Sequence, residues 1–231
     1  MSLLRNVCCS LLALLLFAAP AAFGSTISYA NITTSTGSLV TGTVAGVGFT
    51  VSGPTAFVQL SNGGGTNYFV PTSPVYVGGT ISNAPTDSGL IAIQQGGAKY
   101  TIHFAAPVTG LVFSEVSLGN GPLMSYTFDQ QFSVQSCGTG YWGGGCFNQA
   151  LGSTGNTVLS GGESSGSIQF ASTFQNLSFR VSPNSEYWNG FDLGLPQTNT
   201  GLNPVPEPGT LVMVGTGLLG LLGAAKRKLF A

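Results

Sequence analysis

The sequence predicts an all-β protein: an antiparallel β-sandwich, jelly-roll-like, between an N-terminal signal peptide and a C-terminal single transmembrane helix. Three observations favour this fold class for residues 25–194. No helical periodicity is present, apolar and polar residues alternate in short runs, and Gly, Pro and Asn interrupt those runs. Alternation puts every second side chain on one face of a strand, and the interruptions are typical of turns.

Residues 1–24 have the features of a signal peptide. Arg5 precedes the apolar run Leu11–Ala19, and three small residues follow that run: Ala21, Ala22 and Gly24. A positive charge, an apolar core and small residues, in this order, are what signal peptidase requires. We place the cleavage near Gly24, with a cut after residue 21 or 22 as the alternative. The protein is therefore expected to be exported.

Ten segments of the middle region are predicted strands. In Lys99–Phe104, for example, Tyr100, Ile102 and Phe104 share one face. Strands with one apolar face bury it by packing two antiparallel sheets face to face. The other nine segments are Ile27–Ile32, Val47–Val51, Phe57–Leu60, Leu90–Ile93, Leu111–Val116, Tyr126–Val134, Ser167–Phe170, Leu177–Val181 and Tyr187–Leu193. Long glycine-rich loops are expected around residues 138–145 and 152–166. Two small sandwiches joined near residues 83–88 are the alternative.

Charge is sparse in this region. Its only basic residues are Lys99 and Arg180, against six acidic ones: Asp87, Glu115, Asp129, Glu163, Glu186 and Asp192. Two cations cannot build a surface that follows a phosphate backbone, which excludes nucleic acid as a partner. With 15 Phe and 7 Tyr the chain is too apolar to be disordered.

Cys8 and Cys9 are expected to be removed with the signal peptide, which leaves two cysteines, Cys137 and Cys146. Because an exported chain meets an oxidising compartment, we expect these two to form a disulfide. Two cysteines and one histidine cannot make a structural zinc site, and no cofactor is expected.

The loop between the two cysteines carries Tyr141 and Trp142 among five glycines. An exposed aromatic ring on a closed loop is suited to stacking on the C–H face of a sugar, so the two residues are candidates for carbohydrate binding. The alternative, which we favour, is that Trp142 folds back and plugs the edge of the sandwich. Tyr187 and Trp188 form a second aromatic pair. Being adjacent, they point to opposite faces of a strand, which predicts that one ring is in the core.

No catalytic or metal constellation is evident, and we expect a non-enzymatic protein. Gly162–Gly166 matches the Gly-x-Ser-x-Gly pattern, and His103, Asp129 and Ser164 follow the order of a chymotrypsin-type triad, but no helix is predicted after the serine. The acidic residues show no paired spacing typical of a glycosidase. A calcium site using Asp87, Asp129 or Asp192 is an open alternative to our expectation that these acids solvate the surface.

The end of the chain contains three consecutive features after a predicted linker at residues 195–204. The sequence Val-Pro-Glu-Pro-Gly-Thr occupies residues 205–210, the apolar run Leu211–Ala225 follows, and a basic cluster closes the chain. The cluster is Lys226, Arg227 and Lys228. An apolar segment with basic residues on one side stops in a membrane with the cluster in the cytoplasm. We therefore predict a transmembrane segment at 210–225, which at about 24 Å is short for a hydrocarbon core of about 30 Å.

Residues 205–231 resemble a PEP-CTERM sorting signal, with the family's three parts in its order and spacing. The residues that match its central motif are Pro206, Glu207 and Pro208. The resemblance implies a bacterial exported protein, anchored in the inner membrane in transit and processed near this motif by a protease called exosortase. It also implies a final place at the cell surface or in the extracellular matrix, with exopolysaccharide and biofilm as the setting and exopolysaccharide as a candidate partner.

Two functional alternatives accompany the main hypothesis of a structural or adhesive surface protein. The first is a module that binds exopolysaccharide. The second is a cell-wall protein anchored by sortase, because Leu195–Asn199 differs from the Leu-Pro-x-Thr-Gly motif only at its last residue.

Overall fold

Every regular element that the structure describes is a β-strand. The structure is a computed structural model that describes residues 24–94, 96–119, 124–152, 157–184 and 186–197. The signal peptide before residue 24, most of the predicted linker and the sorting tail lie outside these ranges. The strands are β1 Ile27–Tyr29, β2 Asn31–Ser35, β3 Leu39–Val44, β4 Val47–Ser52, β5 Phe57–Val58, β6 Ile91–Ile93, β7 Lys99–Thr109, β8 Val112–Leu118, β9 Met124–Phe128, β10 Ser133–Gly138, β11 Asn148–Leu151, β12 Thr157–Gly161, β13 Ser164–Gln169, β14 Thr173–Val181 and β15 Asn189–Pro196.

The strands form two sheets, and all their pairings are antiparallel. One sheet has the order β10-β13-β8-β15-β6-β5, with β1 also paired to β15, and the other has the order β11-β12-β9-β14-β7-β4-β3-β2. Buried side chains of both sheets belong to one continuous hydrophobic core. The prediction of an all-β fold with two antiparallel sheets is confirmed, whereas jelly-roll connectivity stays a prediction.

The core is held together across the sheets by aromatic rings. Phe113 of β8 stacks on Phe191 of the neighbouring β15 with ring centroids 4.4 Å apart. The same Phe113 ring meets Phe128 of the other sheet edge-on at 5.5 Å and Phe179 at 5.8 Å. Edge-to-face contacts of this kind stabilise beyond the area they bury, by about 0.5–1.5 kcal/mol each.

The alternative of two sandwiches joined near residues 83–88 is wrong for the described residues. Strands from before that segment pair with strands from after it: β1 with β15, β4 with β7 and β5 with β6. Both sheets are therefore assembled from the whole region.

Two predicted strands are each divided between the sheets. Ile27–Ile32 is β1 of one sheet and β2 of the other, because the backbone leaves the first sheet at buried Ala30, whose N–H donates to Asp192 Oδ1 at 3.4 Å. Tyr126–Val134 likewise contains the end of β9 and the start of β10, with buried Phe132 at the crossing. Continuous alternation hides such crossings, since the apolar face remains turned to the shared core.

Three strands were not predicted. β3 is joined to β4 by the two residues Ala45 and Gly46, both with positive φ (48° and 80°), and a type I′ hairpin turn requires this conformation. Alanine is rare in this conformation, so the first turn position carries no residue typical of such a turn. β11 and β12 lie in polar, glycine-rich sequence, and β12 occupies part of the loop expected at 152–166. β15 also extends to Pro196, two residues into the predicted linker.

Two acids are fully buried, which corrects the expectation that Asp192 solvates the surface. Asp192 Oδ1 accepts from the N–H of Leu193 at 2.6 Å, while Oδ2 has no hydrogen-bond partner. Burial raises the pKa of Asp192 well above its usual range, with the backbone hydrogen bonds opposing that shift. Glu115 is the second such acid, and burial again raises its pKa.

Among the described residues no helix has the length and apolar character needed to cross a membrane. The predicted transmembrane segment at 210–225 lies outside them.

The raised pKa of Asp192 predicts that the protein loses stability as pH rises. The folded state holds the proton that the unfolded state releases above about pH 4, so the free energy of unfolding falls with pH from there. We expect Asp192→Asn to stabilise the protein at about pH 8 by on the order of 1 kcal/mol and to reduce this slope. Urea unfolding at several pH values measures both the stabilisation and its dependence on pH. Exposed Asp87→Asn is the control, and an equal effect of both variants would contradict the prediction.

Candidate functional site

A disulfide-closed loop presents two aromatic rings at the surface. Cys137 and Cys146 form the expected disulfide, with Cα atoms 4.8 Å apart. Within the loop, Gly140 and Gly143 exchange backbone hydrogen bonds of 2.9 and 3.1 Å, which makes Tyr141 and Trp142 the tip of a tight turn. Gly143 has φ +100°, a conformation that side chains rarely adopt. Gly140 and Gly143 therefore allow the chain to form this tight turn.

Trp142 packs against aromatic residues from distant parts of the chain. Its ring stacks on Tyr68 with centroids 5.0 Å apart and meets Trp188 edge-on at 4.9 Å. Tyr141 meets Tyr68 edge-on at 5.2 Å, and Phe57 of β5 meets Trp188 at 4.9 Å. Trp142 nevertheless stays 46% exposed. Trp142 therefore packs against distant aromatic residues while part of its ring stays accessible, and both the plug and the carbohydrate-binding role stay predictions.

Trp142, Tyr187 and Trp188 border an open cavity, which we call the aromatic groove. Its volume is about 580 Å³ and its lining is Ser117, Trp142, Glu163, Tyr187 and Trp188. Tyr187 is 81% exposed, whereas Trp188 packs against a small buried cluster around Phe69 and Tyr76. Both residues precede β15 and both line the groove, so the expectation of one core ring is met only in part: Trp188 is half-buried.

The polar wall of the groove has an unusual backbone. Ser117 and Glu163 have φ of 62° and 61°, and the only other residue besides glycine with positive φ in the described ranges is Ala45. Ser117 lies in a β-bulge, because two residues of β8 stand opposite Ser165 of β13. The hydroxyl of Ser117 donates to Glu163 Oε2 at 2.5 Å. Bulges and strained residues of this kind are concentrated at functional sites.

The disulfide loop also contacts this wall. A Cβ placed on Gly144 would overlap the carbonyl oxygen of Glu163, so only glycine allows the loop to approach so closely. The backbone N–H of Glu163 donates to the carbonyl of Gly119. These contacts fix the position of the Glu163 backbone relative to the loop that carries Trp142.

The three glutamates of residues 24–197 belong to this region. Tyr126 Oη is within hydrogen-bond distance of Glu115 Oε1 (3.1 Å) and of Asn189 Oδ1, and Asn189 Nδ2 donates to Glu186 Oε1. Burial raises the pKa of Glu186 to about 7, opposed by its hydrogen bonds with Asn189 and the Gly119 backbone, and the charge of Glu163 raises it further. The sequence does not predict this grouping, because the segments that carry the three glutamates are distant along the chain.

The lysine and the arginine of residues 24–197 lie away from the aromatic groove. Lys99 and Arg180 are cross-strand partners on β7 and β14, and they line a second cavity of about 380 Å³ together with Asp129. The aromatic groove therefore has a carboxylate in its lining, while the lysine and arginine of residues 24–197 line another cavity.

The three residues of the triad pattern each bond a different partner. His103 Nδ1 lies 2.8 Å from Asn176 Oδ1, and Asp129 Oδ1 accepts from the N–H of Ser178 at 3.0 Å. Ser164 is only 2% exposed and donates to the carbonyl of Cys146 at 3.2 Å. Ser164 thus holds the end of the disulfide loop, an interaction that the sequence pattern did not suggest.

The three aspartates named as alternatives for a calcium site differ in burial. Asp192 is buried in β15, while Asp87 and Asp129 are exposed. Within the described ranges, no group of three or more His, Cys, Asp or Glu side chains is placed to hold a metal ion.

The sortase-like segment begins inside the sheet. Leu195 is buried, and both Leu195 and Pro196 pair with β1, opposite Ser28 and Ile27. Residues 198 and 199, like the sorting-motif residues Pro206, Glu207 and Pro208 and the basic cluster Lys226, Arg227 and Lys228, lie outside the described residues.

Comparison with known proteins identifies the tail. Residues 204–228 match the model of the PEP-CTERM protein-sorting motif. Searches of curated proteins and of solved structures found no match. The prediction of a PEP-CTERM tail is confirmed. The motif indicates export, membrane-anchored transit and processing by exosortase.

We expect the disulfide to hold in place the loop that brings Trp142 to the aromatic groove. Replacing both Cys137 and Cys146 with Ser removes the restraint on a short loop, which is worth about 2–3 kcal/mol in the chain-entropy model. We expect a loss of this size in urea unfolding and greater quenching of tryptophan fluorescence by acrylamide. Unchanged quenching would show that stacking on Tyr68 alone positions Trp142.

Proposed function

We propose that this chain, exported and sorted through its PEP-CTERM tail, is a non-enzymatic protein of the cell surface or extracellular matrix that adheres by binding carbohydrate. The aromatic groove is the proposed binding site. The observation that carries the proposal is that Trp142, nearly half exposed on a covalently closed loop, borders an open cavity together with Trp188 and Tyr187. The exopolysaccharide of the producing cell is the proposed ligand.

The groove has the properties that a pyranose ring requires. Large aromatic faces bury the apolar C–H side of a sugar and lose little conformational entropy on binding. Ser117 and Glu163 supply the few fixed polar groups that orient a ligand by accepting or donating hydrogen bonds. A volume of about 580 Å³ is in the range of small-molecule sites and open enough for a chain of sugars to extend from it.

A purely structural role and an enzymatic role fit the site less well. A matrix protein without a ligand needs no exposed tryptophan beside a cavity. A hydrolase of the triad type requires His103, Asp129 and Ser164 to meet, and each has another partner. The sandwich with its groove is best suited to holding a ligand unchanged.

Carbohydrate binding is tested with the purified exported protein, a glycan array and calorimetric titration of the best ligand. We expect Trp142→Ala to weaken binding about tenfold or more, a loss of about 1.4 kcal/mol, since a central aromatic contact is removed. Trp142→Phe is expected to keep part of the affinity. Leu151→Ala is the matched control, because it also removes an exposed apolar side chain, on β11, that does not line the groove. Equal binding by all variants would place any ligand elsewhere.

Processing of the tail is tested by weighing the mature protein from a bacterium that has exosortase. We expect the residues beyond Pro208 to be lost, and we expect replacement of Pro206, Glu207 and Pro208 by Ala to leave the tail intact. A new C-terminus at Thr198 would instead indicate sortase. An intact tail in the unaltered protein would mean that residues 210–225 are a permanent anchor.

A further inference from the structure

The aromatic groove contains a carboxylate whose charge is not balanced by a basic residue of residues 24–197. Glu163 lines the groove, whereas Lys99 and Arg180 line the separate cavity on β7, β9 and β14. Every lysine and arginine of residues 24–197 is thereby accounted for. Among residues 24–197, neither the lysine nor the arginine lines the groove beside Glu163, which leaves its carboxylate accessible to a positive group of a ligand.

The carboxylate is held in place before a ligand arrives. Ser117 donates to Glu163 Oε2 at 2.5 Å, and the backbone of Glu163 is fixed by Gly119 on one side and by the close approach of Gly144 on the other. Fixing a binding group in advance reduces the entropy lost on association. The positive φ of both Ser117 and Glu163 shows that the fold tolerates strain to keep this arrangement.

Two further carboxyl groups lie behind the wall, and burial raises the pKa of each, which favours the neutral form. Glu186 Oε2 is buried and has no hydrogen-bond partner. Glu115 Oε2, in a side chain that is fully buried, is also without a partner. A cation in the groove therefore acts on Glu163, the glutamate that lines it.

We propose that the aromatic groove selects sugars that carry a protonated amine, as in a polysaccharide of glucosamine with free amino groups. This proposal rests on the carbohydrate binding proposed above and names the class of sugar. The pyranose ring stacks on Trp142, and the ammonium group donates to Glu163. Charge-assisted hydrogen bonds are about twice as strong as neutral ones, and an ammonium beside a tryptophan face gains cation–π attraction as well.

The test compares two oligosaccharides of equal length, one of glucosamine and one of N-acetylglucosamine, by calorimetric titration in a mildly acidic buffer. N-acetylation removes the positive charge and leaves the sugar ring. We expect the glucosamine oligomer to bind about tenfold more tightly, with the ratio falling as salt is added because the attraction is screened.

Variants assign the preference to Glu163. Glu163→Gln keeps an acceptor for Ser117 and is expected to bind both oligomers equally, at the affinity that the protein without substitutions has for N-acetylglucosamine. Asp129→Asn removes one negative charge at the second cavity and is expected to keep the preference. Ser117→Ala, which loosens the carboxylate without removing it, is expected to reduce the preference. It also provides the test if the Gln variant does not fold.

Each result decides between the two proposals. Equal binding of both oligomers by the unaltered protein overturns amine selection and leaves carbohydrate binding standing. Binding of neither, with no other glycan bound, overturns both. A preference that survives in Glu163→Gln shows that the amine is recognised elsewhere and overturns the assignment to Glu163.

Discussion

The contact of Phe113 with rings from both sheets is the interaction on which the rest of this structure depends. Residues 24–197 contain one lysine and one arginine, too few for ion pairs to fix how the two sheets meet, so shape complementarity between aromatic side chains must do this. Phe113, Phe128, Phe179 and Phe191 interlock at centroid distances of 4.4 to 5.8 Å across and within the sheets. Their edge-to-face angles fix the relative rotation of the layers as well as their spacing.

Tyr126 connects this core to the surface site. Its ring packs beside Phe113 and Phe179, while its hydroxyl faces Glu115 and Asn189. The end of β8, where Ser117 adopts its strained conformation, is thus supported from inside by the same residue that helps to hold the sheets. The groove is therefore a continuation of the core's packing, and its rigidity comes from there.

The sequence predicted those features that depend on local pattern. Alternation in segments such as Lys99–Phe104 identified strands, and the two cysteines identified a disulfide. The sorting tail was recognised because its three parts are contiguous. Contacts between distant segments could not be predicted. Nothing in the sequence around Tyr68 indicates that its ring stacks on Trp142. Likewise, nothing around Glu163 indicates its hydrogen bond with Ser117. Positive φ at a serine or a glutamate leaves no mark in sequence, since it is imposed by the bulge and by tertiary contacts.

The pairing of β1 with β15 has a geometric consequence for a protein held by its tail. Because Ile27 lies opposite Pro196, the chain enters and leaves the sandwich at the same place. Trp188, by contrast, directly precedes the first residue of β15, and the strand's eight residues span about 25 Å. A tether attached after Gln197 therefore pulls on the end of this strand that is remote from the aromatic groove. The force is carried by the short ladder between β1 and β15, at a distance from the residues that line the aromatic groove.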